Sequence, residues 1–519
     1  MSEEKQKPEE VYTAENAEQE ADTIFGSSLT KTDTQKSGGL SKNAKWLLIG
    51  GIALILLGGG LTAVLLTSDR EDISPEDSTL SVDEKIALNP SNAEDVTGID
   101  VQDAEPFTVK RSTDGTYGIV GLEDVTMDAA LLSTLVNNGS ELEADSLVEE
   151  NAADLTVYGL ADTAAEVTMH YADGTDFAFR VGDAAPMGNA QTYCEIDGDV
   201  YLVRTSLVAN FRKTPDKFVS TVVLAEPSDE DYPIVDSVRI ERDDLDYDIY
   251  LEYDYEGADD DSTGGVAATH VMREPLFSYL SVDKSVAVTN GMFGLTALEI
   301  VDVHPTDKAL ADAGLDEPFC TVEMQCTDGN TYHLAIGEAY EASTGTACYY
   351  AKFEDVPLIY GLTSEDAAWA RIQPGDITSA NIFVSYVWDI GTLDIQVGDE
   401  DFRFEGKGTE QADYEVTKNG ETCDTERFRL LYRFLLNIYG EELYFGELPD
   451  SAPQAEVHLT SQDGKEDYTV SFYKQTDLKT IIARDGVPSY VVRTSCLNTL
   501  LHNLEIFDDL DTPFQETWQ

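Results

Sequence analysis

The sequence predicts an α+β protein: serial repeated modules of antiparallel sheet with packing helices, preceded by one transmembrane helix. Three observations carry this expectation. The run from Trp46 to Thr67 is apolar and holds no charge. A strand pattern ending in Asp-Gly recurs three times downstream, and a stretch of helical apolar spacing precedes each recurrence.

The run from Trp46 to Thr67 reads WLLIGGIALILLGGGLTAVLLT. As a helix it is about 33 Å long, enough to cross a hydrocarbon core of about 30 Å. A cleaved signal peptide is the rival reading. Its apolar core is normally shorter, about 7–15 residues, and ends at a small-residue cleavage site that this run lacks. No Cys sits at the end of the run, which argues against a lipoprotein anchor. Lys31, Lys36, Lys42 and Lys45 precede it, and Asp69, Arg70, Glu71 and Asp72 follow. Basic residues stay on the cytoplasmic side, so the N-terminus is expected inside and residues 68–519 outside. Gly59 and Ala63 form one small-xxx-small pair that would permit close helix packing, but the spacing reads as ordinary glycine tolerance in a membrane helix. Residues 1–45 lack periodicity and are expected to be a disordered cytoplasmic tail. Residues 68–105, acidic and rich in Ser, Asn and Pro, are expected to be a linker.

The repeats begin beyond it. Ala165 to Gly174, Cys320 to Gly329 and Ala455 to Gly464 each alternate apolar and polar residues and close on Asp-Gly. This is a half-buried strand running into a tight turn, where Gly supplies positive φ. Return strands follow at Phe177–Val181, Tyr332–Ile336 and Tyr468–Phe472, the first two ending in Gly182-Asp183 and Gly337-Glu338. Each copy then runs through a further strand into Thr205-Ser206, Thr363-Ser364 or Thr494-Ser495, where a short hydroxyl-capped helix is expected. Helical patterns lie upstream, in Ala129 to Leu142, in Pro275 to Leu295 (one or two helices) and in Thr425 to Ile438. Each is preceded by a β-rich stretch: 106–121, 237–256 and 381–417. The expected modules are 106–225, 226–375 and a divergent 376–510, with a tail over 511–519.

These units resemble the bacterial family catalogued as domain of unknown function 4340. The resemblance rests on Tyr158-Gly159-Leu160, Ala165 to Gly174, Val181-Gly182-Asp183 and Tyr201-Leu202-Val203. The second copy repeats it with Gly314-Leu315-Asp316-Glu317-Pro318, Asp328-Gly329 and Ile336-Gly337-Glu338. It covers 106–370 well and 376–505 loosely, the third copy lacking both the Gly-Leu and the Gly-acid pair. The resemblance implies a protein with one N-terminal span, related to gliding-motility auxiliary components and encoded beside ABC-transporter permeases. It implies no catalytic residues.

Composition excludes several functions. The 519 residues hold 100 Asp plus Glu against 33 Lys plus Arg, a net charge of −67. Nucleic-acid binding and docking on anionic lipid headgroups both need a basic surface. Six cysteines make no disulfide-dense scaffold and form no C-x-x-C, although a single disulfide stays open. Cys320 and Cys326 fall on one strand face beside Val322 and Met324 and read as buried hydrophobes.

Asp244, Asp246, Asp248, Glu252, Asp254 and Glu256 alternate with apolar residues, and Asp259, Asp260 and Asp261 follow. The D-x-D-x-D string has Ile249 and Tyr255 where a Ca²⁺ loop needs Gly and Glu, so a solvated face is expected. The six histidines (His170, His270, His304, His333, His458 and His502) lack zinc-ligand spacing and read as exposed or incidental. Two S-x-x-K strings, Ser281 to Lys284 and Ser471 to Lys474, lack the accompanying K-T-G. The Gly-acid pairs read as turns.

The expectation is therefore a non-enzymatic, single-pass extracytoplasmic scaffold or accessory subunit of an ABC-transporter-like envelope complex, with no cofactor and no metal site. Its partners would be the membrane, through one span, and a permease or other envelope protein. The acid excess favours a basic partner, and a halophilic habitat would produce the same excess without one. The alternative is a binding module for a cell-envelope polymer or a divalent cation.

Overall fold

The computed structural model describes residues 85–518, apart from 90, 187–189, 229, 231, 256–267, 409 and 411. The apolar run 46–67, the tail 1–45 and residues 68–84 lie outside the described residues. Among the described residues no helix is long and apolar enough to cross a membrane.

Three nine-stranded antiparallel sheets follow one another along the chain. The first holds β1 (Ile86–Ala87), β2 (Val96–Gln102), β3 (Phe107–Arg111), β4 (Tyr117–Ile119), β5 (Glu143–Glu149), β6 (Ala165–Tyr171), β7 (Asp176–Ala184), β8 (Gln191–Ile196) and β9 (Asp199–Arg204), in the order β1-β5-β9-β8-β7-β6-β2-β3-β4. The second holds β10 (Val235–Arg242), β11 (Ile249–Tyr253), β12 (His270–Glu274), β13 (Ser278–Tyr279), β14 (Glu299–Val303), β15 (Cys320–Cys326), β16 (Thr331–Glu341), β17 (Ala347–Phe353) and β18 (Leu358–Thr363), in the order β13-β12-β11-β10-β15-β16-β17-β18-β14. The third holds β19 (Ile390–Val397), β20 (Glu400–Lys407), β21 (Glu415–Lys418), β22 (Glu421–Thr422), β23 (Glu442–Leu443), β24 (Ala455–Ser461), β25 (Asp467–Lys474), β26 (Lys479–Arg484) and β27 (Val487–Arg493), in the order β22-β21-β20-β19-β24-β25-β26-β27-β23. The plan is the same each time. A leading meander supplies one half, a four-stranded meander the other, and β2, β10 or β19 joins them by pairing with β6, β15 or β24.

The repeated hairpins behave alike. Gly174, Gly329 and Gly464 have φ of 85°, 91° and 75°. The carboxylates of Asp173, Asp328 and Asp463 accept from the backbone N–H two residues on. This is the side-chain turn that Asp favours.

Helix α1 (Ala129–Ser140) is capped by Asp128, whose carboxylate accepts from the Leu131 N–H, and it buries Leu132, Leu135 and Val136. After α2 (Thr205–Val208) comes α3 (Val282–Thr289), the one helix formed in the predicted stretch 275–295. After α4 (Asp307–Asp312) and α5 (Pro374–Ile377) comes α6 (Thr425–Leu436). It is capped by Asp424 and buries Phe428, Leu431, Tyr432 and Leu435. Helix α7 (Thr494–Glu505) closes the third module.

Four expectations need correction. The linker predicted over 68–105 ends well before 105. Val96, Ile99 and Val101 of β2 are buried at the centre of the first sheet. The tail predicted over 511–519 is packed through 518: Phe514 and Trp518 lie against the third core, and the Arg427 guanidinium sits 3.8 Å above the Phe514 ring. The helices after Thr-Ser start on the threonine itself and follow Arg204 and Arg493, which make no side-chain cap. The Thr205 and Thr494 hydroxyls instead lie within hydrogen-bond distance of Thr192 and Thr480, and the middle copy has only a 3-10 turn at Ala368–Ala370. Finally, the Gly-acid pairs do not end their strands. Strands β7 and β16 run on through them with a register shift.

The modules share apolar surface. Val125, Val219 and Val223 from the first pack into the core of the second. Between second and third, Tyr247 stacks on Phe445 at 5.3 Å, and Val271 and Tyr279 pack with Val384. The Tyr490 hydroxyl, on β27, bonds Ser278 at 2.6 Å and Thr378 at 2.7 Å. Tyr490→Phe is expected to cost about 1–2 kcal/mol, measured as a lower urea midpoint, because the buried Ser278 hydroxyl and the half-buried Thr378 hydroxyl each lose a partner. Unchanged stability would mean this seam carries no load.

Candidate functional site

The residues behind the family resemblance form a backbone latch. Gly159 and Gly314 both adopt φ of 66°, a left-handed turn that brings the chain back over the following meander. Gly182 lies beneath Tyr158 and Leu160: a Cβ there would stand 2.4 Å from the Tyr158 carbonyl oxygen. At Gly337 a Cβ would stand 2.1 Å from the Ala313 carbonyl oxygen, and the Glu338 N–H donates to that oxygen at 2.9 Å. Each Gly-Leu turn thus seats on its Gly-acid pair. The third copy has neither pair and so lacks both halves of the latch.

The acidic stretch is matched by arginines. Strand β11 spans only Ile249–Tyr253; Asp248 and Glu274 pair with Arg239 and Glu252 with Arg273 across neighbouring strands, while Asp244 pairs with Arg242 two residues before it. Glu256, Asp259, Asp260 and Asp261 lie outside the described residues. Among the described residues no group of three or more His, Cys, Asp or Glu side chains gathers as a metal site.

All six cysteines are free thiols in this structure. Cys320 and Cys326 are buried on one face, and burial pushes the thiols of Cys194, Cys320 and Cys496 up to about 12. Such thiols are poor nucleophiles at neutral pH. Ser471 donates to Glu456 at 3.0 Å while Lys474 reaches Asp477. Ser281 precedes α3, whose Lys284 is exposed.

Several histidines bridge acids. His170 lies 3.0 Å from Asp100 and 2.8 Å from Asp176; His333 lies between Glu323 and Glu354, His304 beside Asp124, and His458 beside Asp467. His270 departs from the expected exposure. It is buried, bonds the Val235 carbonyl at 2.8 Å, and burial lowers its pKa.

Hydrogen bonds to Asp100 and Asp176 raise the His170 pKa above its ordinary 6.5. A group raised in the fold stabilises fully below its unfolded pKa and loses that effect as pH rises through the folded one. The stability gap between wild type and His170→Gln is therefore expected to be widest below the unfolded pKa of about 6.5 and to narrow as pH rises through the raised folded one. Thermal melts across that range check it, and a gap that widens with pH would contradict it.

A cleft of about 360 Å³ lies where the second and third modules meet. One wall carries Asp254, Phe277 and Tyr279, the other Glu466, Tyr468, Arg484 and Asp485. The Arg484 guanidinium lies 3.6 Å from the Tyr468 ring centroid and 3.9 Å from that of Phe277, and its Nη1 donates to the Tyr279 hydroxyl at 3.1 Å. Ser385 donates to the Glu466 carboxylate, and burial raises that carboxyl above its usual range. The Tyr468 hydroxyl is enclosed and has no hydrogen-bond partner among the described residues. No sequence motif marked this cleft. Its one local signal is Arg484 closing the otherwise apolar run Ile481-Ile482-Ala483.

Residues 118–260 match the family model for Domain of unknown function (DUF4340). The chain is similar to that family over those residues, which run from β4 through the latch of the first module to β11 and just beyond. The second latch, at Gly314 and Gly337, falls outside the match. No curated protein and no solved structure matches the chain.

Proposed function

We propose that the chain is a membrane-anchored, non-catalytic extracytoplasmic scaffold or accessory subunit of an ABC-transporter-like envelope complex. The observation that carries this is the uncharged run Trp46–Thr67, with lysines before it and acids after it. The body beyond that run suits a protein that presents surface. Its three sheets share apolar contacts within one compact unit, Asp83–Gln519. The family-like residues Gly159, Gly182, Gly314 and Gly337 are occupied in backbone contacts, so the likeness suggests no chemistry.

The test is affinity purification of the tagged full-length chain from gently solubilised native membranes, with mass spectrometry of co-purifying chains. A stoichiometric permease or ATPase is expected. Recovery of the chain alone at every detergent strength would overturn the accessory role. A second reading, a binding module, is favoured by the cleft at Arg484.

A further inference from the structure

The cleft between the second and third modules holds two opposite charges that do not meet. Arg484 is fixed by ring faces and by Tyr279, yet among the described residues its Nη2 makes no hydrogen bond, and Asp485, the one carboxylate near its Nε, stands 3.9 Å away. Across the cleft Asp254 makes no ion pair among the described residues. The two cationic rim residues are each engaged elsewhere: Arg273 with Glu252 at 2.8 Å, and Lys465 with Asp463 at 3.7 Å. A guanidinium held against two aromatic rings, with its Nη2 open, suits a carboxylate oxygen. Asp254 and Asp485 on the rim oppose a purely anionic ligand, while Asp254 suits an ammonium. Glu466, the other acid on the wall of Arg484, is buried and takes its hydrogen bond from Ser385, and among the described residues it makes none to the guanidinium.

We propose that this cleft binds a small zwitterion of the amino-acid or short-peptide class, its carboxylate on the free edge of Arg484 and its ammonium toward Asp254. Phe277 and Tyr279 from one module and Tyr468 from the other form the apolar walls, and clefts between domains are where such ligands commonly lodge. Binding would join the two modules across their seam. This goes beyond the tethering reading and does not depend on it: it concerns a cleft in the described body, whatever holds that body in place.

The test is calorimetric titration of the full-length chain with dialanine, its C-terminal amide, N-acetyl-dialanine and inorganic phosphate. Dialanine is expected to bind one to one, and either blocked form to bind at least about tenfold more weakly, since each loses a charge-assisted contact. Arg484→Gln is expected to abolish binding. Asp254→Asn, at a half-buried site that leaves the core intact, is expected to weaken dialanine at least about tenfold while leaving the amide-to-acid ratio unchanged. Three outcomes would overturn the proposal: no saturable heat with dialanine on the folded chain, blocked forms binding as well as the free one, or phosphate binding more tightly than dialanine. None of these bears on co-purification with a permease, so the two readings fail separately.

Discussion

Trp369→Ala is expected to lower stability by about 3–5 kcal/mol, the cost of emptying a large, fully enclosed site. Trp369 is only 1% exposed, and its indole N–H donates to the Val288 carbonyl at 3.0 Å, tying the 3-10 turn Ala368–Ala370 to α3 in the second core. The substitution removes the ring that fills this space and leaves the last turn of α3 without its partner. Because the first module packs Val219 and Val223 into the same core, the loss is expected to register in both modules. Urea unfolding followed by far-UV dichroism reads the first effect, and hydrogen exchange in β6 and β15 reads the second. A midpoint within error of wild type would contradict this account of the core. Loss of protection confined to β15 would contradict the sharing.

Gly337→Ala is expected to cost about 1–3 kcal/mol, through overpacking rather than through backbone strain. The added methyl would meet the Ala313 carbonyl oxygen at 2.1 Å and the Gly314 carbonyl oxygen at 2.9 Å, both backbone atoms that cannot swing aside. Gly329→Ala provides the comparison. Nothing lies within 4 Å of a Cβ there, so only its φ of 91° opposes the change, at about 1–2 kcal/mol. Thermal denaturation of the two variants should place Gly337→Ala below Gly329→Ala. The reverse order would mean that the Gly-Leu and Gly-acid residues do not latch, and would return them to consideration as a binding loop.

The parts of the fold legible in the sequence are those written in local periodicity. The hairpins β6–β7, β15–β16 and β24–β25 each combine strict alternation with an Asp-Gly turn, and α1 and α6 show apolar residues at helical spacing. Strand β2 was hidden for a physical reason. Its pairing with β6 shifts register between Val96 and Gly98, which breaks the alternation, and it lies in an acidic setting that resembles a linker. Strands β5, β14 and β23 border the meander in all three sheets, but they are irregular or short and carry little pattern. Phe514 and Trp518 are single aromatics among polar residues, and nothing local shows that they reach back to Phe507 and Phe434. The cleft was illegible for a related reason. Phe277, Tyr279, Tyr468 and Arg484 are each ordinary strand or turn residues, and they converge only when the second and third modules dock. The latch lies between these cases. Its residues stand out in the sequence as repeated pairs and read there as turns; only the fold places the carbonyl oxygens of Tyr158 and Ala313 over Gly182 and Gly337.

The central functional claim is that everything beyond the apolar run lies on the far side of the membrane from the first 45 residues. Labelling intact cells with a membrane-impermeant, lysine-directed reagent tests it most directly, because both sides of the run carry reporters. Lys110, Lys284 and Lys308 are exposed in the described body, and Lys5, Lys7, Lys31 and Lys36 precede the run. The account predicts that peptides containing the first three are modified in intact cells, while those containing the other four are modified only after the cells are opened. Labelling of the four N-terminal lysines in intact cells, with the body protected, would contradict it.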